Sequence, residues 1–224
     1  MKKLSIIAAF AIAVTICLTG CGPKDKGMVD PEAEIIENPT DISGTWVSPG
    51  RDFEMEFNSD GTFTDKEKLS KTEGTYQFMS QNAAFVIGDQ FDEVHYISCQ
   101  DEKGKAFYSG AVLGDLISGY NEVQRREWYY VKKGRAEVPG EELLGHWKDC
   151  NGKTYYVEFG DDGSLKTTDW DGTYEITQDE EVGTTAVFHF SKYDEEYAVV
   201  RYEKYLFLYR IGTSGVYQLV KENE

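Results

Sequence analysis

Ile42-Ser43-Gly44-Thr45-Trp46 returns as Leu143-Leu144-Gly145-His146-Trp147, and two further motifs follow it in the same order. Phe57-Asn58-Ser59-Asp60-Gly61-Thr62 matches Phe159-Gly160-Asp161-Asp162-Gly163-Ser164, and Gly74-Thr75-Tyr76-Gln77-Phe78 matches Gly172-Thr173-Tyr174-Glu175-Ile176. A looser match sets Glu102-Lys103, ahead of Phe107-Tyr108, against Glu203-Lys204, ahead of Phe207-Leu208-Tyr209. Each copy closes on an aromatic stretch ending in lysine, residues 128–133 and 216–221. Ordered matches at an offset of about 100 residues mark an internal duplication. The offset shrinks towards the end, which assigns extra residues of the first copy to 110–126.

Both copies read as strands and turns. Phe53, Met55 and Phe57 alternate with Asp52, Glu54 and Glu56, a period of two with one wet face, and Tyr155, Val157 and Phe159 repeat it. Asp60-Gly61, Asn151-Gly152 and Asp162-Gly163 supply the positive φ angles that tight hairpins need. Runs between turns give seven or eight short strands per copy, at a spacing of about ten residues. Residues 121–127 are the one stretch after the N-terminal segment that reads as a brief helix. Sequential antiparallel strands of this spacing close most simply into an up-and-down barrel. The predicted fold is all-β, two tandem small antiparallel barrels spanning residues 41–134 and 141–221. The intervening residues carry Gly134, Pro139 and Gly140 and read as a short linker.

The N-terminal segment has Lys2 and Lys3 in front of an apolar run over residues 4–18, closed by Leu18-Thr19-Gly20-Cys21. The layout is that of a secretory signal. With cysteine directly after Leu-Thr-Gly, it resembles a bacterial lipoprotein signal. The resemblance implies that the Cys21 thiol takes a diacylglyceryl group and that residues 1–20 are removed. Residues 21–40 then become a lipidated, flexible tether, and the protein sits at the cell membrane on its extracytoplasmic face. An uncleaved anchor, or a plain signal with Cys21 incidental, is the alternative; the apolar run is shorter than the ~20 residues of a spanning helix.

A Gly-x-Trp on the first strand, a Phe…Asp-Gly hairpin and a later Gly-Thr-Tyr strand resemble the small lipocalin-like domains of bacterial lipoproteins. The resemblance covers both copies. It implies that Gly44 with Trp46, and Gly145 with Trp147, plug the closed end of each barrel. Full lipocalins use nearly twice this length for one barrel, and shorter strands leave less interior. An eight-stranded barrel either fills with its own side chains or holds one small ligand; the abundance of Phe and Tyr favours filling.

The net charge of −17 and pI near 4.6 exclude nucleic-acid binding and attraction to anionic headgroups. Cys99 lies on a strand opposite Val200 in the repeat alignment, as a buried, inert core thiol. Cys150 precedes a turn and should lie near the surface, and a Cys99–Cys150 disulfide is the less favoured alternative. His95 and Cys99 share a strand face but stand ~13 Å apart, too far for a nucleophile and its base. His146 and His189 occupy ordinary strand positions. The acidic turns around Asp161-Asp162-Gly163 and Asp169-Trp170-Asp171-Gly172 lack the alternating acids of a calcium loop. No cofactor, metal or catalytic residue is expected.

Residues 205–209, Tyr-Leu-Phe-Leu-Tyr, are apolar on both faces, which points to packing between the copies or to a partner surface. The expected role is non-catalytic binding at the outer face of a membrane. The ligand is a small apolar or envelope-derived molecule held at a barrel mouth or between the copies. The alternative is an interaction, inhibitor or accessory protein acting through its loops and the 205–209 strand.

Overall fold

A computed structural model describes residues 33–67, 69–80, 94–150, 154–213 and 215–222. Within them the chain is β-structure apart from one four-residue helix, α1 (Gly140–Leu143). The first copy supplies β2 (Gly44–Val47), β3 (Phe53–Phe57), β4 (Thr62–Glu67), β5 (Ser70–Met79), β6 (His95–Asp101), β7 (Ala106–Leu113), β8 (Leu116–Asn121) and β9 (Arg126–Lys132). Each pairs antiparallel with the next, and Trp46 opposite Lys132 closes β2 onto β9. The second copy runs through β10 (Gly145–Asp149), β11 (Tyr156–Phe159), β12 (Ser164–Thr167) and β13 (Asp171–Asp179). It continues through β14 (Gly183–His189), β15 (Asp194–Tyr202), β16 (Tyr205–Arg210) and β17 (Val216–Lys221). It closes the same way, with Trp147 opposite Lys221. The result is two eight-stranded up-and-down barrels in tandem, an architecture that fits lipocalin-like domains.

The duplicated motifs bond to one another, which is why they travel together. Gly61 and Gly163 turn the Asp-Gly hairpins, and their carbonyls accept the amides of Tyr76 and Tyr174 at 2.8 and 3.0 Å. In return the Tyr76 hydroxyl donates to Asn58 O and the Tyr174 hydroxyl to Gly160 O, each at 2.9 Å. Gly74 and Gly172 are needed for close approach. A Cβ there would stand 1.9 Å from Gln100 O and 2.3 Å from His189 O. Both interiors are filled by aromatic and aliphatic side chains. Trp46, Phe57, Phe63, Phe78 and Tyr108 are buried in the first barrel, and Trp147, Phe159, Phe188 and Tyr197 in the second.

Six sequence expectations differ from the structure. The extra residues of the first copy fall between Met79 and His95, where the second copy passes from Asp179 to Gly183, and not at 110–126. Cys99 therefore faces Tyr76 as Phe188 faces Tyr174, so its counterpart is Phe188 and not Val200. The Glu102-Lys103 turn joins β6 to β7, whereas Glu203-Lys204 joins β15 to β16, so that looser match is not an equivalence. Residues 121–127 form a hairpin turn: Asn121 Oδ1 accepts the amides of Val123 and Gln124, the local bond by which Asn competes with helix.

Two segments that look loose in the sequence are ordered by contacts with the barrels. The far end of the tether forms β1 (Ile35–Ile36), which adds to β5 with Ile35 opposite Met79. The linker docks on the second barrel. Val138 is buried in that core, its amide donating to Thr184 Oγ1 at 2.8 Å. The Arg135 guanidinium reaches the carbonyls of Val182, Thr184 and Val199 at 3.1, 3.3 and 2.6 Å. Burial pushes the Arg135 pKa down to about 10, partly offset by the charge of Asp115.

The barrels meet along an apolar seam. Val47, Leu113, Leu116, Tyr129 and Val131 of the first face Val182, Ala198, Val200, Tyr205, Phe207 and Tyr209 of the second. β16 is apolar on both faces for this reason. Leu206 and Leu208 enter the second barrel's core, while Tyr205, Phe207 and Tyr209 enter the seam. The Tyr129 and Tyr209 rings stack at 3.7 Å, and the Tyr129 hydroxyl donates to Arg210 O at 2.9 Å. Each large apolar side chain removed from water contributes roughly 1.5–3 kcal/mol, so this row of contacts is enough to hold the barrels as one body.

Candidate functional site

Gly44 and Trp46, and Gly145 and Trp147, occupy equivalent places. Each indole is buried, and its Nε1 donates to the carbonyl four residues earlier, Ile42 O at 2.9 Å and Leu143 O at 2.7 Å. Lys132 Nζ lies 5.7 Å over the Trp46 ring and Lys221 Nζ 5.6 Å over the Trp147 ring. Gly44 and Gly145 hold φ of +118° and +107°, backbone that L side chains rarely adopt. In both copies the glycine and the indole hold structure. Cys21 lies outside the described residues.

The nucleophilic and metal-ligating types are dispersed. The Cys99 thiol is buried, and desolvation pushes it well above the ordinary thiol range, which makes it inert. Cys150 is half-buried at the seam's edge with Sγ 3.9 Å from Gln218 Oε1, and Cys99 and Cys150 form no disulfide with each other. His146 stacks on Tyr156 with ring centroids 4.9 Å apart, near Glu158 and Glu222 on the outer face. His189 Nδ1 is 3.0 Å from Asp194. Asp162 is turned back onto its own hairpin, accepting the Ser164 amide at 2.9 Å. Among the described residues no three His, Cys, Asp or Glu are grouped to hold a metal ion, and no helix is long and apolar enough to cross a membrane.

The structure assembles two features that sequence reasoning missed. The first is a groove of about 560 Å³ where the barrels meet, beside the seam. The first barrel supplies Val47, Ser48, Gly50, Arg51, Asp52, Phe53, Glu54, Lys66 and Glu67; the second supplies Asp179, Glu181, Val182, Glu196 and Ile211. Carboxylates outnumber the cations Arg51 and Lys66 along it, and Lys66 is already paired with Glu54 at 2.8 Å. Its floor is fixed: Gly212 N donates to Pro49 O at 3.2 Å and Arg51 Nη2 to Gly212 O at 3.0 Å.

The second is a carboxylate inside the first barrel. Asp65 is 2% exposed and lies 3.4 Å from the Tyr130 hydroxyl. Burial, reinforced by the charge of Glu67 and opposed by the Tyr130 hydrogen bond, pushes its pKa up to about 7. Glu67 bonds Gln124, whose Oε1 accepts Trp128 Nε1 at 2.7 Å. The signal for Asp65 was present: a period of two from Phe63 puts it on the inward face.

Comparison with protein-family models, with curated proteins and with solved structures finds no match.

Proposed function

We propose that this chain is an extracytoplasmic protein, anchored by lipid at Cys21, that binds non-catalytically through the groove between its two barrels. The observation that carries the reading is the contrast between filled interiors and an open groove whose two walls come from different barrels. The groove's walls are held in fixed register by the seam and by the Arg51–Gly212 bond, so the site is preorganised. Its carboxylates, Asp52, Glu54, Glu67, Asp179, Glu181 and Glu196, favour a cationic or hydrogen-bonding ligand over the apolar one expected from sequence. Native mass spectrometry of the protein recovered from its own cells tests this. A co-purified cationic molecule that is lost in Glu181→Lys/Glu196→Lys supports the groove; a bound molecule that survives both changes counts against it.

A second reading, an interaction protein acting through its loops, draws on Trp170 and Tyr193. They are 47% and 40% exposed and meet edge to face at 6.3 Å. Exposed aromatic pairs of this kind are frequent anchors at protein interfaces. The 205–209 strand does not serve that reading, since every residue in it is buried.

A further inference from the structure

The chain carries 40 Asp and Glu against 23 Lys and Arg, so a cluster of cations is against the trend of its surface. Arg201 and Arg210 pair with carboxylates, Glu142 and Glu195. Three arginines of the first barrel do not. Arg51, in the turn after β2, meets Arg125 and Arg126 of the β8–β9 hairpin around a pocket of about 420 Å³ that Tyr120, Glu127 and Trp128 complete. Among the described residues no carboxylate lies within ion-pair distance of any of the three, Glu127 included.

Each arginine is held there at a cost. Arg51 Cζ sits 4.1 Å over the Trp128 ring, and its Nη2 is fixed on Gly212 O at 3.0 Å. Its Nε is buried and unpartnered among the described residues. Burial first makes its proton easier to lose, Tyr129 opposes this, and the like charge of Arg126 across the pocket adds to it. Arg125 has φ of 54°, left-handed backbone that glycine adopts freely and arginine does not. The unmet donor and the like-charge repulsion are both relieved by a bound anion, and the turn holds Arg125 beside them despite its backbone strain.

We propose that this pocket binds the phosphate group of a soluble small molecule. Guanidinium forks match phosphate oxygens with paired, charge-assisted hydrogen bonds, and a dianion answers several cations at once. The pocket exceeds a bare phosphate in volume, with Tyr120 as a wall for the organic part. The net charge of −17 disfavours an anionic bilayer as the source of the phosphate. Arg125 and Arg126 lie outside the groove between the barrels, so this proposal and that reading fail separately.

The test is a calorimetric titration of the full chain, in neutral detergent, with inorganic phosphate at chloride-matched ionic strength. Saturable binding is expected, weakened about tenfold or more by Arg126→Gln. Arg125→Gly should weaken binding while raising Tm, because the strained backbone is relaxed. No saturable heat, or parental affinity in Arg126→Gln and Arg125→Gly, overturns the proposal. Capture by phosphatidate vesicles without any response to inorganic phosphate also overturns it, assigning the site to lipid headgroups instead.

Discussion

The Tyr76 hydroxyl donates to the backbone carbonyl of Asn58 at 2.9 Å, across a sequence gap that spans one hairpin and half a strand. Tyr174 and Gly160 repeat the bond at the same distance in the second barrel. Each tyrosine therefore locks the Asp-Gly turn that its own amide already binds. Tyr76→Phe and Tyr174→Phe should each cost about 1 kcal/mol, seen as a lower midpoint in urea unfolding. The two costs should add, because the bonds lie in different barrels without a shared partner.

Gly74→Ala should be far worse than Gly104→Ala. A Cβ at residue 74 would stand 1.9 Å from Gln100 O, which is backbone and cannot give way without parting β5 from β6. At residue 104 nothing lies within 4 Å, and only φ of +74° opposes the change. Thermal unfolding should show a loss of roughly 1–2 kcal/mol for Gly104→Ala and several times that, or no folded protein, for Gly74→Ala.

Asp65 makes stability depend on pH. Its carboxyl titrates near 7 in the folded barrel, where Tyr130, Tyr108, Cys99 and Glu67 surround it, against an ordinary 3.8. Between those values the unfolded chain releases a proton that the folded chain keeps. This group's contribution therefore falls as pH rises from about 4 to about 7 and levels off above. Asp65→Thr, which copies Thr167 of the second barrel, should flatten that slope in denaturant titrations across this range. It should leave the variant more stable than the parent at pH 8.

The seam makes the two barrels unfold together. Phe207 is fully buried between them, and Phe207→Ala should cost about 3–5 kcal/mol. In differential scanning calorimetry the parent should show one transition and the variant two, as each barrel melts on its own.

Much of this architecture was legible because its signals are local. Phe53, Met55 and Phe57 alternate, the Asp-Gly turns declare themselves, and Gly-x-Trp and Gly-Thr-Tyr recur in order. The two-faced apolarity of 205–209 pointed correctly to a neighbour on the outer side. What stayed hidden depends on contacts distant in sequence. Ile35 and Ile36 become a strand through Met79 and Phe78, and the linker is ordered because Arg135 finds three carbonyls on the far barrel. Val200 was matched to Cys99 because an insertion between β5 and β6 shifts every later equivalence. The groove and the arginine pocket were invisible for the same reason, since hairpins far apart in sequence build each of them.

Amide hydrogen exchange, followed residue by residue with and without the molecule that co-purifies from the protein's own cells, tests the groove most directly. Added protection should fall on residues 47–54, 179–182, 196 and 211, with the barrel cores unchanged. Protection confined to inward-facing core strands, or to the loops bearing Trp170 and Tyr193, would contradict binding between the barrels.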